Sequence, residues 1–263
     1  MEFQNIIEWS VSPTLLSLGF IQVRWYGLLF ALSFIIGYQI MLWIFINEGK
    51  TEKDLESLTF TMILGTVVGA RLGHCLFYSP EYYLAHPLDI IKVWEGGLAS
   101  HGAAVGILIA LAIYVRKAKN ITYMWILDRI VIVVALSGFL IRCGNFFNSE
   151  ILGKAANVPW AVIFTRVDVI PRHPAQMYEA ISCIFIFLFL FFQYKSKKSN
   201  LRPGANFGPF LTMIFGMRIV WEMFKENQVA FESTMPLNMG QMLSIPLVFA
   251  GIYFWFFYKG RTN

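Results

Sequence analysis

Four arginines stand where the chain is otherwise apolar: Arg71, Arg129, Arg142 and Arg218. A charge at the bilayer centre costs about 2.5–3.5 kcal/mol on insertion scales, so each needs a snorkelling path, a partner or a task. Arg129 follows Asp128 near the start of its stretch, and that pair reads as interfacial. Arg71, Arg142 and Arg218 lie deeper or towards an outer end, and read as lining a polar cavity that holds something anionic. Spacing supports the cavity. Arg218 and Glu222 are four apart, about one helical turn, and so share a face. Arg71 and His74 are three apart.

The densest polar group is IRCGNFFNSEILG, residues 141–153. Arg142 and Asn145 share a face if the helix continues through them. Gly144 and Gly153 read as permitting tight turns, and Asn148 and Glu150 crowd polar groups at the membrane boundary. A guanidinium can grip phosphate with two parallel bonds, and an Asn amide can donate to phosphate or glycerol oxygens. His101 opens HGAAVG, just after the Gly96–Gly97 pair. Glycines let backbone approach a ligand closely, and imidazole can accept a proton near neutrality. The plainer reading of a lone membrane histidine is a hydrogen-bonded packing residue. Gly65, Gly69 and Gly73, at intervals of four, read as a close helix–helix contact, with Gly102 and Gly106 doing the same on the next span. Cys75, Cys143 and Cys183 are odd in number and form no CxxC, so they read as small buried residues.

These residues need elements to hold them. The chain has 263 residues, 57% hydrophobic and 14% charged, with mean hydropathy +0.59. Soluble domains carry about 25% charge, so a solvated surface is excluded and the lipid bilayer is the solvent. Seven spans follow: about 25–46, 58–78, 98–115, 125–143, 175–194, 207–224 and 241–258. The expected fold is all-α and polytopic, a single transmembrane domain over 1–263, with 144–173 as an outer loop contributing to the site. Lys and Arg concentrate after spans one, three and five and at the C-terminus, as in RKAK at 116–119 and KSKK at 195–198. That bias puts the N-terminus outside and the C-terminus in the cytoplasm. The net charge of +5 is read the same way, not as a nucleic-acid surface. The N-terminal residues lack a basic run and a cleavage site, so the first span is expected to be an uncleaved insertion signal.

RCGNFFNSE at 142–150 followed by Gly153 resembles the signature of the prolipoprotein diacylglyceryl transferase family. WYG at 25–27, GARLG at 69–73, HG at 101–102, RHPAQMYE at 172–179, the Arg218/Glu222 pair and MGQMLSIP at 239–246 agree in the same order. The resemblance covers about residues 20–258. The chain departs from the family pattern at Ile141 (usually Gly), Ala103 (commonly Gly), Ile214 (often Tyr) and Lys225 (frequently Arg).

The resemblance implies a multi-pass enzyme of the bacterial inner membrane. It would move the diacylglyceryl group of phosphatidylglycerol to the lipobox cysteine of a prolipoprotein signal peptide, forming a thioether and releasing glycerol phosphate. That chemistry calls for no metal, nucleotide or other cofactor. With the residue chemistry it nominates His101, Arg142 and Arg218 as catalytic. Arg142, Asn145, Glu150, Gly153, Tyr26, Arg71 and Glu222 are nominated for substrate binding. Glu222 would fix Arg218. The rival class is a transporter for an anionic solute, which would commonly show internal repeats; none is convincing here. An intramembrane hydrolase would want paired carboxylates, a metal cluster or a Ser/His pair, and none is spaced convincingly.

Overall fold

The computed structural model describes residues 6–19, 21–118, 120–226 and 236–260. In chain order its helices are α1 (Trp25–Asn47), α2 (Glu52–Phe77), α3 (Pro80–Ala85), α4 (Ser100–Lys117), α5 (Tyr123–Asn148), α6 (Ala175–Lys197), α7 (Phe207–Trp221) and α8 (Met239–Ile252). Single turns of 3-10 or π geometry extend α6 to Asn200, α7 to Phe224 and α8 to Phe257. With those turns, six are long and apolar enough to cross a membrane: α1, α2, α5, α6, α7 and α8. The third span of the sequence reading is α4, which is not among the six. It has 18 residues, about 27 Å at 1.5 Å per residue, with Ser100 and His101 at its start and Arg116 and Lys117 at its end.

The all-α expectation needs correcting at one end. Short strands β1 (Ile7–Trp9), β2 (Thr14–Leu18), β3 (Ile21–Arg24), β4 (Val162–Phe164) and β5 (Pro171–Arg172) accompany the helices. β2 pairs antiparallel with β3, while β4 lies between β1 (parallel) and β5 (antiparallel). Backbone outside the helices must still find hydrogen-bond partners, and pairing across the 149–174 segment supplies them.

The chain divides into two compact units, Met1–Met41 with Leu127–Asn263, and Leu42–Ile126. In the first, α5 is the central helix, half buried where the other spans are less so. Its Asp128 is fully buried. The carboxylate accepts from Gly204 N at 2.8 Å and from Asn206 N and Phe207 N at 2.9 Å. Those amides open α7, whose first turn would otherwise lack acceptors. Arg129 is also buried, 5.8 Å from the Tyr194 ring centroid.

In the second unit, α2 begins with a capping box. Thr51 Oγ1 accepts from Asp54 N at 3.2 Å, and Asp54 Oδ2 accepts from Thr51 N at 2.9 Å. α2 and α4 then pack backbone to backbone through the glycines singled out above. A Cβ on Gly69 would sit 2.7 Å from Gly106 Cα, and one on Gly73 2.7 Å from Gly102 Cα. The small residues serve close packing, as the spacing predicts.

Candidate functional site

In the first unit a chain of polar side chains runs from the end of α5 to the start of α8. The helix does continue through 141–148, so Arg142 and Asn145 share a face, and Arg142 Nη1 donates to Asn145 Oδ1 at 3.1 Å. Arg142 Nε is paired with Glu179 from α6. Glu179 is paired in turn with Lys225, whose Nζ donates to Glu222 Oε1 at 2.9 Å. Glu222 meets Arg218 Nε at 3.4 Å, the expected one-turn pair. Asn238 Nδ2 donates to Glu222 Oε2 at 3.1 Å, and the α8 capping box holds Asn238 in place. A Cβ on Gly240 would fall 2.8 Å from Glu222 Cδ, so glycine lets the first turn of α8 close over this carboxylate.

Five charges therefore alternate in sign: Arg142, Glu179, Lys225, Glu222, Arg218. The middle three are buried, while the two arginine side chains keep 30% and 49% exposure. Breaking a buried ion pair by removing one partner typically costs about 3–5 kcal/mol, which keeps the middle of the chain fixed. The two arginines are thereby pre-aimed with free guanidinium surface. Both line one cavity of about 250 Å³, together with Glu179, Ser182 and Trp221 and an apolar wall that includes Phe210, Ile214 and Met217. Ile214 is part of that apolar wall.

Glu150 stands just past the end of α5. Asn145 Nδ2 and Asn148 Nδ2 donate to its two carboxylate oxygens at 3.2 and 3.0 Å, and Gln176 Nε2 donates to its backbone oxygen. Its neighbours Ser149 and Ile151 have φ of 57° and 54°. A β-branched residue in the left-handed region is uncommon and costs about 1–3 kcal/mol, so the surrounding bonds hold the turn against strain.

The two glycines of this stretch do not make tight turns. Gly144 lies inside α5, where a Cβ would sit 2.9 Å from Tyr26 Cδ2; it lets the Tyr26 ring pack against the α5 backbone. At Gly153 a Cβ would sit 2.8 Å from His173 Cβ. Gly153 bridges Lys225 backbone to backbone, and Lys154 N donates to Phe224 O at 2.8 Å. The 149–154 segment thus carries Lys225 to its carboxylates. Next to it Arg172 donates to Gly153 O at 3.2 Å and pairs with Asp168 and Glu226. Hydrogen bonding from Arg172 holds the Asp168 carboxyl below the usual carboxylate range.

Two nominated residues lie in the second unit. His101 is exposed in the first turn of α4, its ring 5.3 Å from Phe77 and 5.9 Å from Tyr78. It borders an apolar groove along α2 and α4 of about 1360 Å³. Arg71 is buried, and its guanidinium is turned to backbone: Nε donates to Ile90 O at 2.9 Å, Nη1 to Gly96 O at 2.7 Å and Nη2 to Asp89 O at 2.6 Å. His74 shares its face, since a Cβ on Gly97 would meet both side chains within 2.8 Å.

Sequence reasoning missed Glu179, Gln176 and the joining role of Lys225. The first two sit three apart in RHPAQMYE, a helical spacing that was there to be read. Lys225 is three past Glu222, equally readable, but its second carboxylate comes from another helix.

Comparison with known proteins speaks to the same residues. The family model described as prolipoprotein diacylglyceryl transferase matches residues 13–257. Three curated relatives carry the name phosphatidylglycerol–prolipoprotein diacylglyceryl transferase. The protein from Chloroherpeton thalassium is 49% identical, covering 96% of this chain and 94% of its own. That from Tolumonas auensis is 48% identical, covering 94% and 95%. That from Bacteroides fragilis is 46% identical, covering 98% and 97%. With likeness of this extent, over a multi-pass helical chain whose signature residues form one connected network, the chain belongs to the prolipoprotein diacylglyceryl transferase family.

Proposed function

We propose that Arg142 and Arg218 together hold the phosphate of phosphatidylglycerol while its diacylglyceryl group passes to the lipobox cysteine of a prolipoprotein. The observation that carries this reading is the shared cavity: two half-exposed guanidinium groups line it, tied by the buried Glu179–Lys225–Glu222 link. Family membership supports the transferase over the anion transporter.

The reaction is a displacement at carbon. The cysteine thiolate attacks the glyceryl carbon that bears the phosphate ester. A C–S bond forms, the C–O bond breaks, and glycerol phosphate leaves with the bonding pair. Negative charge grows on the departing phosphate oxygen, and preaimed cations offset it without rearranging. Arg142 and Arg218 serve that role. Glu179 and Glu222 orient them, and Lys225 keeps the two carboxylates from repelling each other. Asn145, Glu150 and Tyr26 orient the headgroup glycerol, and Gly153 admits it by keeping the outer segment close to His173. The acyl chains stay in lipid.

Thiolate, not thiol, is the nucleophile, and His101 takes the thiol proton. Arg71 serves the substrate from its own unit through the loop it holds. The enzyme lies in the bacterial inner membrane with α4 as a seventh span, N-terminus outside, and 144–173 on the outer face. The charge bias of its connecting segments supports that orientation.

The test uses purified protein in detergent, given phosphatidylglycerol and a lipobox peptide. Peptide carrying a diacylglyceryl thioether, with glycerol phosphate released in equal amount, is the expected result. Absence of product, with anion flux in proteoliposomes instead, would overturn the reading in favour of a transporter.

A further inference from the structure

The segment between α2 and α4 carries an apolar rim that nothing in the reaction uses. Leu84 is 79% exposed, Leu88 77%, Ile91 69% and Trp94 74%. Such side chains in water would be costly to leave bare, and contiguous apolar patches mark contact surfaces. Three polar residues of the same segment, Tyr82, Asp89 and Lys92, are occupied with one another. Tyr82 Oη donates to Asp89 Oδ2 at 2.7 Å, and Lys92 Nζ pairs with Asp89 Oδ1 at 2.6 Å.

A six-residue helix followed by two 3-10 turns has little stability alone. Here it is pinned from below. Arg71, buried in a membrane-spanning helix, donates to the carbonyls of Asp89, Ile90 and Gly96 and lies 5.1 Å from the Tyr83 ring. Ala99 N closes the far end on Ala70 O at 2.9 Å. The segment is thus a fixed platform at the end of α2, where that span leaves the membrane.

What covers the rim follows from what it continues. The last residues of α2, Leu76 and Phe77, are exposed in the same way and belong to a span, and Tyr78, the residue after it, is exposed too. Tyr and Trp among aliphatic residues at a span end are the composition of the headgroup boundary. We propose that segment 80–98 lies in the bilayer interface, its Leu84, Leu88, Ile91 and Trp94 immersed in lipid, and that Arg71 is the positioning residue that holds it there. Apolar faces of interfacial segments enter about 5–10 Å below the headgroups. Because the segment leads directly into Ser100 and His101, it sets the depth at which the α4 N-terminus meets the lipid headgroups. The proposal rests on the membrane-spanning reading of α2, and its test reads lipid exposure rather than transfer.

The test is tryptophan quenching in full-length protein reconstituted in phosphatidylglycerol-containing vesicles. Lipids brominated near the headgroup end of the acyl chain are compared with lipids brominated near the chain terminus, and aqueous iodide is added separately. The difference between wild type and Trp94→Phe isolates Trp94. Strong quenching of that difference by shallow bromine, weaker by deep bromine and little by iodide, is expected. In Arg71→Gln the Trp94 signal should move towards iodide accessibility. Quenching by iodide alone would overturn the proposal, and quenching by neither agent would show a protein partner over the rim. An Arg71→Gln profile identical to wild type would remove Arg71 from the account. The Trp94→Phe comparison stands even if Arg71→Gln fails to fold.

Discussion

At the scale of single residues, groups that act on substrate differ from groups that hold others. His101 is the proposed proton acceptor. His101→Asn keeps size and hydrogen bonding but cannot take the proton. It should still bind phosphatidylglycerol yet transfer poorly at neutral pH, with partial recovery as pH approaches the free thiol value of about 8.5. Rates measured against pH check this; full activity at neutral pH would leave the thiol to ionise without it. Asp168 belongs to the holding class. Its carboxyl is depressed in the folded protein, so its contribution is present above the unfolded value of about 3.9 and is lost as pH falls through the lower folded value. Protection factors of the amides in the 162–172 segment, corrected for intrinsic exchange, should therefore be constant from neutrality to about pH 4 and fall below it. Asp168→Asn should show lower protection than wild type near neutrality, with the difference closing as Asp168 itself protonates at low pH.

At the scale of elements, Lys225 joins α6 to the end of α7. Lys225→Met would leave Glu179 and Glu222 buried and facing each other, at a cost of about 3–5 kcal/mol. Lys225→Arg keeps the charge and should retain most transfer, since this arm of the network needs a cation rather than a particular fork. Thermal unfolding with transfer rates on both variants checks the pair. Equal loss in both would mean that lysine geometry, not charge, is required. Much of this layer was legible in the sequence. The Arg218/Glu222 pair and the glycine contact of α2 with α4 follow from a period of 3.6, whereas the span ended at about 143 and the loop begun at 144 were too short and too early, since α5 runs on to Asn148. What was not legible depends on closure in three dimensions. The targets of Arg71 are backbone carbonyls, which carry no side-chain signature. Gly144 and Gly153 were misread as turn residues because sequence cannot tell a positive φ from a close neighbour, and here Tyr26 and His173 are the neighbours. The partners of Asp128, the amides of Gly204, Asn206 and Phe207, are over 70 residues away and could not be read from local spacing.

At the scale of the whole molecule, orientation ties the site to its substrates. Prolipoprotein thiols are met after the signal peptide inserts, so the account needs the 144–173 segment on the outer face. A cysteine placed at Asn157 should react with an impermeant reagent from outside in intact cells, and one at Lys197 should react only after permeabilisation; the opposite pattern would invert the topology. The central claim is that two guanidinium forks grip one phosphate, and Lys is a point charge that cannot reproduce a planar fork. The most direct measurement is the transfer rate of purified Arg142→Lys and Arg218→Lys beside wild type, with folding checked by thermal unfolding. The account expects each to lose about 100-fold or more in kcat/KM while remaining folded, the scale of removing one preorganised oxyanion donor. Near-wild-type transfer by either folded lysine variant would contradict it.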